Sequence, residues 1–141
     1  MKVRSRKGSA LIEFAGSLML LSAMFTGIFQ IGYTFFAYEK LIHAVRAGAR
    51  YASLRGANST GIADAEFSKA VANVVLFGDP QPAVGAKPVI SGLTADNVEL
   101  VLGPAEATVS VRDFEIDAVF TKVKLAGRPT VTFPFTTGGT K

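Results

Sequence analysis

Cysteine is absent from the 141-residue chain, and histidine occurs only once, at His43. Without cysteine the chain can form neither disulfide bonds nor thiolate metal sites. No nucleophile partner for His43 stands out in the sequence, and we expect His43 to be a residue on a helix surface. The sequence also contains no phosphate-binding loop, metal-ligand cluster or acid–base pair. We therefore expect neither an enzyme nor a bound cofactor or metal.

Charged residues are scarce, at 18% of the chain against 49% hydrophobic, and they are unevenly placed. Four of the 15 basic residues precede Gly8, and none of the 11 acidic residues does. Removing residues 1–8 takes those four away and leaves 11 basic against 11 acidic residues, a formal charge of zero. The rest of the chain thus lacks the basic excess that nucleic-acid binding requires, and no nucleic-acid partner is expected.

Residues 14–38 form a stretch of 25 positions without a charged side chain. A helix that spans a bilayer needs roughly 20 apolar residues, whereas the apolar region of a signal peptide has roughly 7–15. The stretch therefore predicts a membrane-spanning helix. Basic residues occur on both sides of it, but those before Gly8 are denser and unmixed with acids, which favours a cytoplasmic N-terminus.

The helical pattern continues past the apolar stretch. Residues 39–54 contain no proline, and their apolar positions recur at spacings of three and four. One helix over residues 9–55 would be roughly 70 Å long, about twice the thickness of a bilayer, so its far half must pack on something else. We predict a basic leader at 1–8, this helix, and a small outer domain at 56–141.

A second helix is predicted for residues 61–77, where apolar side chains take one face and charged ones the other. Thr60 is its expected N-cap, and Gly78 followed by Pro80 is expected to end it.

The remainder of the outer domain is typical of strands. Residues 98–102 and 107–111 flank a four-residue connection and predict a hairpin. The alternation of apolar residues changes parity afterwards, which predicts a break near residues 112–113. A last strand at 130–135 contains Pro134 and should lie at an edge or stop there. The predicted fold class is α+β, with a long N-terminal helix, a short second helix and three to four antiparallel strands.

Glu13 is the conspicuous residue near the N-terminus, because it places a carboxylate at the start of an apolar helix. Buried alone it would be unfavourable, so it must lie near the lipid interface, be protonated or find a cation. A position near a helix N-terminus would also favour it, since the helix dipole attracts negative charge there.

Residues 7–14 read Lys-Gly-Ser-Ala-Leu-Ile-Glu-Phe, and this run resembles the peptidase site of type IV pilin-like precursors. Together with residues 35–38 and 46–52, the run makes the chain resemble the TadE-like family of tight-adherence pilus systems. The resemblance covers residues 1–55 well. Many relatives carry an acid and an arginine late in the span, where this chain has Gln30 and Tyr33, and the cysteines common in the family are missing.

The resemblance implies that a prepilin peptidase cuts between Gly8 and Ser9, and that Glu13 then pairs with the new amine of Ser9 in a neighbouring subunit. It implies a filament built with other copies or other pilins on a platform driven by a cytoplasmic ATPase. The precursor would sit in the bacterial inner membrane before it reaches the cell surface. Two alternatives stay open: a permanently anchored protein whose outer domain binds a ligand or partner, and a secreted β-rich domain behind a signal sequence.

Further candidate positions concern helix packing and charge. Small residues four apart permit close helix approach, and Gln30 could hydrogen-bond a partner helix or be a tolerated lone polar residue. Arg46 and Arg50 lie one turn apart and could pair, within or between subunits, with three alternating acids, or both groups could be solvated. The acids lack the spacing of a calcium loop. The small residues are Ala23 and Gly27, then Ala44, Gly48 and Ala52; the acids are Asp113, Glu115 and Asp117.

Overall fold

The elements of the fold follow one another as two helices and then five strands. A computed structural model describes residues 6–56, 64–118, 121–124, 127 and 129–135. The helices are α1 (Arg6–Gly56) and α2 (Ala65–Phe77); a 3₁₀ turn, Ala95–Asn97, precedes the strands β1 (Val98–Leu102), β2 (Glu106–Val111), β3 (Glu115–Asp117), β4 (Lys122–Lys124) and β5 (Thr130–Pro134). The predicted α+β class is confirmed.

Helix α1 runs for 51 residues without a break, and the prediction of one continuous helix is confirmed. It has no proline in its interior, and at 1.5 Å per residue it is about 75 Å long. Its part Gly8–Arg55 is the one helix in the described ranges that is long and apolar enough to cross a membrane. Only the far half of this rod is needed to build the domain.

Helix α2 ends where the sequence predicts. Gly78 caps it in the left-handed conformation, with φ of 76°, and its N–H donates to the carbonyl of Val74. Glycine adopts this conformation without a steric penalty from Cβ. At the other end the helix begins at Ala65, and Asp64 makes no side-chain cap. The expected cap Thr60, and with it the predicted start near residue 61, lie outside the described residues.

The strands form two separate antiparallel units instead of the single sheet predicted from the sequence. One is a three-stranded sheet in the order β1-β2-β5, and the other is the hairpin β3–β4. The β1–β2 hairpin is confirmed, with Leu102 opposite Ala107. Its connection is three residues long, not four, because β2 begins at Glu106, which pairs with Pro134 of β5. Pro134 ends an edge strand, as predicted.

The predicted break after β2 is confirmed and has a clear backbone signature. Strand β2 stops at Val111, and Asp113 adopts a left-handed conformation with φ of 50°. The chain turns out of the sheet there, and Phe114, just before β3, and Ile116, within it, are buried in the core. The change in apolar parity therefore reflects a turn between two strands that belong to different units.

The core of the domain lies between the far half of α1, helix α2 and the three-stranded sheet. Strand β2 is the middle strand and packs on α1, as β5 does. At the far end of α1 the buried hydroxyl of Ser53 donates to the carbonyl oxygen of Pro134. The buried side chains that α1 contributes to this core are Ala37, Leu41, Val45, Ala49 and Ala52. The domain is thus built directly onto the helix.

Candidate functional site

The near half of α1, residues 8–36, is the largest apolar surface of the described chain. Apart from Gln30 and Thr34, every side chain in this half is exposed. Fourteen Leu, Ile, Met and Phe side chains between residues 11 and 36 are each 50–77% exposed. At about 1.5 kcal/mol or more for each, their burial is worth on the order of 20 kcal/mol. This exceeds the whole stability of a typical domain, so the surface requires lipid or other apolar helices around it.

The predicted cleavage and assembly residues lie in the first turns of α1. A Cβ built on Gly8 meets no atom within 4 Å, so the backbone there is open to an approaching protein. The Ser9 hydroxyl donates to Oε1 of Glu13 at 3.2 Å, which puts both residues on one side of the helix. A hydroxyl hydrogen bond does not neutralise a carboxylate, so this bond leaves the negative charge of Glu13 in place. Among the described residues it forms no ion pair.

The boundary between the two halves of α1 lies at residues 36–43. The ammonium group of Lys40 sits 4.8 Å from the centroid of the Phe36 ring, and Oε2 of Glu39 lies 3.9 Å from Nε2 of His43. Aromatic and basic side chains of this kind are typical of the interface between lipid and water. The first buried residue, Ala37, falls at the same level, so the domain begins where the uncharged stretch ends.

The small positions of the near half face outward, whereas its polar residues Gln30 and Thr34 are linked by a hydrogen bond. Ala23 is exposed, and a Cβ built on Gly27 meets no atom within 4 Å. Gln30 is half-buried, and its backbone carbonyl accepts a 2.9 Å hydrogen bond from the Thr34 hydroxyl. This bond satisfies the threonine inside an apolar helix. Contact of these positions with other helices remains a prediction.

The second set of small residues serves packing inside the chain. A Cβ on Gly48 would overlap the Cγ2 methyl group of Val75 and lie 3.6 Å from the carbonyl oxygen of Val71. Ala52 is buried as well, and Ala44 is half-buried. The close helix approach that the spacing permits is therefore made between α1 and α2 of the same molecule.

The charged candidates are arranged differently from the predicted pattern. Glu115 and Asp117 share β3, but their carboxylates lie 3.4 Å from Lys124 and Lys122 of β4. Asp113 precedes the strand and is exposed in the left-handed turn. The three acids therefore do not alternate along one strand, and that part of the prediction is wrong. Arg46 and Arg50 are also exposed, and their pairing with another subunit remains a prediction.

Sequence reasoning missed a groove beside the far end of α1. It has a volume of about 950 Å³ and lies between α1, α2 and the proline-rich loop after α2. The rings of Tyr51 and Phe67 stack with centroids 6.5 Å apart, and the Arg55 guanidinium lies 5.5 Å from the centroid of the Tyr51 ring. These residues are separated in sequence by the connection between the helices. In the sequence, the prolines of the loop after α2 were the only local signal for one side of this groove.

These features define a class of protein in which one long, membrane-capable N-terminal helix carries a small α+β domain on its far half. The family described as TadE-like protein matches residues 8–50 of this chain. The predicted TadE-like resemblance is thereby confirmed over a segment that includes Gly8, Ser9, Glu13, Arg46 and Arg50. No curated protein and no solved structure matches the chain significantly.

Proposed function

We propose that the chain is a pilin-like structural subunit of a tight-adherence pilus. In this proposal a prepilin peptidase removes residues 1–8, and the mature subunit assembles through α1 into a surface filament. The precursor waits in the inner membrane with its N-terminus in the cytoplasm. The observation that carries the proposal is the exposed apolar half of α1, within a segment that matches the TadE-like family.

The two states of the subunit use the same apolar surface. In the precursor, lipid surrounds the near half of α1; in the filament, the near halves of neighbouring subunits replace the lipid. Between apolar surroundings of either kind the transfer is close to neutral, whereas passage through water would cost on the order of 20 kcal/mol. Assembly therefore takes place directly from the membrane, on the platform driven by a cytoplasmic ATPase that the resemblance implies.

Cleavage after Gly8 supplies a positive charge that can pair with Glu13. The cut removes the basic leader and creates a free amine at Ser9, one helical turn from Glu13. A carboxylate among packed apolar helices is unfavourable unless it meets a cation, so each Glu13 selects a position beside the amine of another subunit. The pair would thus fix the stagger of neighbouring helices.

The N-terminus of the mature chain tests the proposal. We expect mass spectrometry of subunits from sheared surface filaments to give a chain that begins at Ser9. Replacing Gly8 with a bulky residue should leave the chain at full length in the membrane and abolish the filaments. A full-length chain that works in its host without any filament would overturn the proposal.

The second candidate is a permanently anchored protein that binds a partner in its outer domain. The groove beside Tyr51 and Arg55 favours it, because it combines aromatic, charged and amide side chains in about 950 Å³. This candidate requires residues 1–8 to be retained. The same N-terminal mass spectrum therefore separates the two.

A further inference from the structure

The side of α1 that points away from the domain carries a row of exposed basic residues beyond the apolar half. We call this row the basic face; its charged members are Lys40, Arg46 and Arg50, and His43 lies among them. The core residues of the same turns, such as Leu41 and Val45, are fully buried on the opposite side. Glu39 is the one acidic residue between positions 38 and 56, and its carboxylate faces His43. The basic face is therefore a cationic strip on the side of α1 opposite the core, where its side chains are exposed among the described residues.

The two arginines of the basic face form no ion pair with any residue that the structure describes. All 11 acidic side chains of the protein belong to the described ranges, and none of them forms an ion pair with Arg46 or Arg50. An arginine that is exposed to water needs no ion-pair partner. An arginine enclosed by neighbouring subunits does need one, because a buried, unpaired charge is strongly unfavourable.

The outer domain offers uncompensated carboxylates in a fixed position. Asp96 and Asp113 are both exposed, and neither forms an ion pair within the described ranges. Asn97 ties them into one corner, since its side-chain amide donates to the carbonyls of Arg112 at 3.1 Å and of Asp113 at 3.3 Å. We call this pair of aspartates the acidic corner.

Other acids near this corner are already neutralised by basic side chains. Glu99 pairs with Arg112, and the two carboxylates of β3 pair with the two lysines of β4. Of the three acids predicted to pair with the arginines, Asp113 alone forms no ion pair within the described ranges. Asp96 is the second carboxylate in this position. These two carboxylates lie on the turn before β1 and the turn after β2, at the end of the sheet where Val98 pairs with Val111.

We propose that the basic face of one subunit binds the acidic corner of a second copy of the same chain. The inference rests on the proposed function, because assembly through the near half of α1 brings the exposed side of the far half against neighbours. Charge complementarity supports it. Residues 9–56 contain four basic and two acidic side chains, whereas residues 57–141 contain seven basic and nine acidic ones. The two regions therefore attract each other between copies.

The geometry favours a second copy over the membrane surface as the occupant. From Lys40 to Arg50 the helix rises about 15 Å, while surface charges are screened within about 8 Å at physiological salt. Anionic lipid headgroups can therefore reach Lys40 but not Arg50. The two surfaces are also different patches of one molecule, so their contact is head-to-tail. Contacts of that type propagate into open helical assemblies, as a filament requires.

Cross-linking between differently tagged copies tests the contact, and the absence of native cysteine gives a clean background. One full-length copy carries Arg50→Cys and the other carries Asp96→Cys, and both are expressed together in the filament-forming host. A short thiol-reactive linker should join the two tags in a dimer from sheared filaments. Pairing Arg50→Cys with Glu106→Cys is the matched control, because Glu106 is an exposed acid at the opposite end of β2. An equal yield from the control pair would overturn the proposal.

Charge variants provide the second measurement. Arg50→Glu should lower the amount of subunit in surface filaments at least about tenfold, since like charges at an interface cost several kcal/mol. Lys87→Glu, which reverses an exposed cation outside the basic face, should leave that amount within about twofold. Asp113→Asn combined with Asp96→Asn should reduce assembly as well, and asparagine keeps the left-handed turn at position 113 accessible.

The outcomes separate this contact from the proposed function itself. Filaments of subunits that begin at Ser9, with no Arg50–Asp96 cross-link and no loss in Arg50→Glu, would remove the contact and leave the pilin function intact. A chain that keeps Met1 and forms no filament would remove both.

Discussion

Glu13 and Ser9 form a hydrogen bond within one helix, and the same two residues are the proposed contact between subunits. Within one chain the Ser9 hydroxyl reaches the Glu13 carboxylate across one turn. That bond is exposed and adds little to a helix of 51 residues. A free amine at the same residue would supply a full positive charge, which is a far stronger partner for a carboxylate in apolar surroundings.

Glu13→Ala is therefore expected to be cleaved normally and to assemble poorly. We expect at least about a tenfold loss of subunit in surface filaments, because a buried ion pair that loses one partner costs about 3–5 kcal/mol. Quantitative immunoblotting of sheared filaments, with mass spectrometry of the membrane-bound pool, measures both steps.

Ser9→Ala is the matched control, since it removes the hydroxyl and keeps the amine. It should assemble within about twofold of the unmodified chain. If Ser9→Ala fails as badly as Glu13→Ala, the hydroxyl bond and not the amine is the essential partner.

Gly48 sets the distance between α1 and α2. Any Cβ at this position overlaps Val75, so Gly48→Val should destabilise the domain by about 1–3 kcal/mol, the usual cost of overfilling a packed interface. Urea unfolding of the full chain in detergent micelles, followed by near-ultraviolet circular dichroism, measures the loss.

Two variants check this assignment. Adding Val75→Ala to Gly48→Val should recover part of the stability, because it removes the overlapping methyl groups. Gly27→Val, at a position with no neighbour inside the chain, should leave domain unfolding unchanged. Equal destabilisation by Gly27→Val and Gly48→Val would mean that helix propensity, and not the α1–α2 contact, controls the effect.

At the scale of elements, local signals predicted local features well. The uncharged stretch, the absence of proline and the spacing of apolar residues predicted α1, and Gly78 predicted the end of α2. The change of parity near Arg112 predicted the turn at Asp113, because alternation reports directly which side of a strand is buried.

Features that depend on distant residues could not be predicted in this way. The order β1-β2-β5, which places the last strand beside the second, depends on pairs of residues that lie 20 or more positions apart. The separation of the β3–β4 hairpin from the three-stranded sheet also could not be predicted from local pattern. For the candidate site, the sequence identified Gly8, Ser9 and Glu13 by local pattern, whereas the groove beside Tyr51 needed the fold to bring its walls together.

The contact between α1 and β5 is one such long-range feature, and it is held by Ser53. Its hydroxyl donates to the carbonyl oxygen of Pro134, 81 positions away, and the side chain is 4% exposed. Ser53→Ala should therefore lower the free energy of unfolding by about 1 kcal/mol. Ser91→Ala, at an exposed serine, is the control and should change it by less than about 0.5 kcal/mol. The same urea unfolding experiment measures both, and equal values would show that the bond contributes nothing.

At the scale of the whole molecule, α1 divides at Ala37 into two halves with different partners. The near half has its side chains directed outward and contributes none of them to the buried core. The far half supplies five buried hydrophobic residues to the core of the domain. A helix used in this way can change its surroundings from lipid to protein without unfolding the domain, because the two surfaces share no side chains.

The division predicts that the domain folds without the near half. A chain that starts at residue 37 keeps Leu41 and Val45 and discards the fourteen exposed apolar side chains of the near half. It should be soluble without detergent and unfold cooperatively, as size-exclusion chromatography and thermal circular dichroism would show. A chain that starts at residue 46 loses Leu41 and Val45, each worth about 2–5 kcal/mol in a core, and should not fold. If the longer fragment also fails to fold, the near half of α1 contributes to the domain, and its side chains could not be free to exchange lipid for neighbouring subunits.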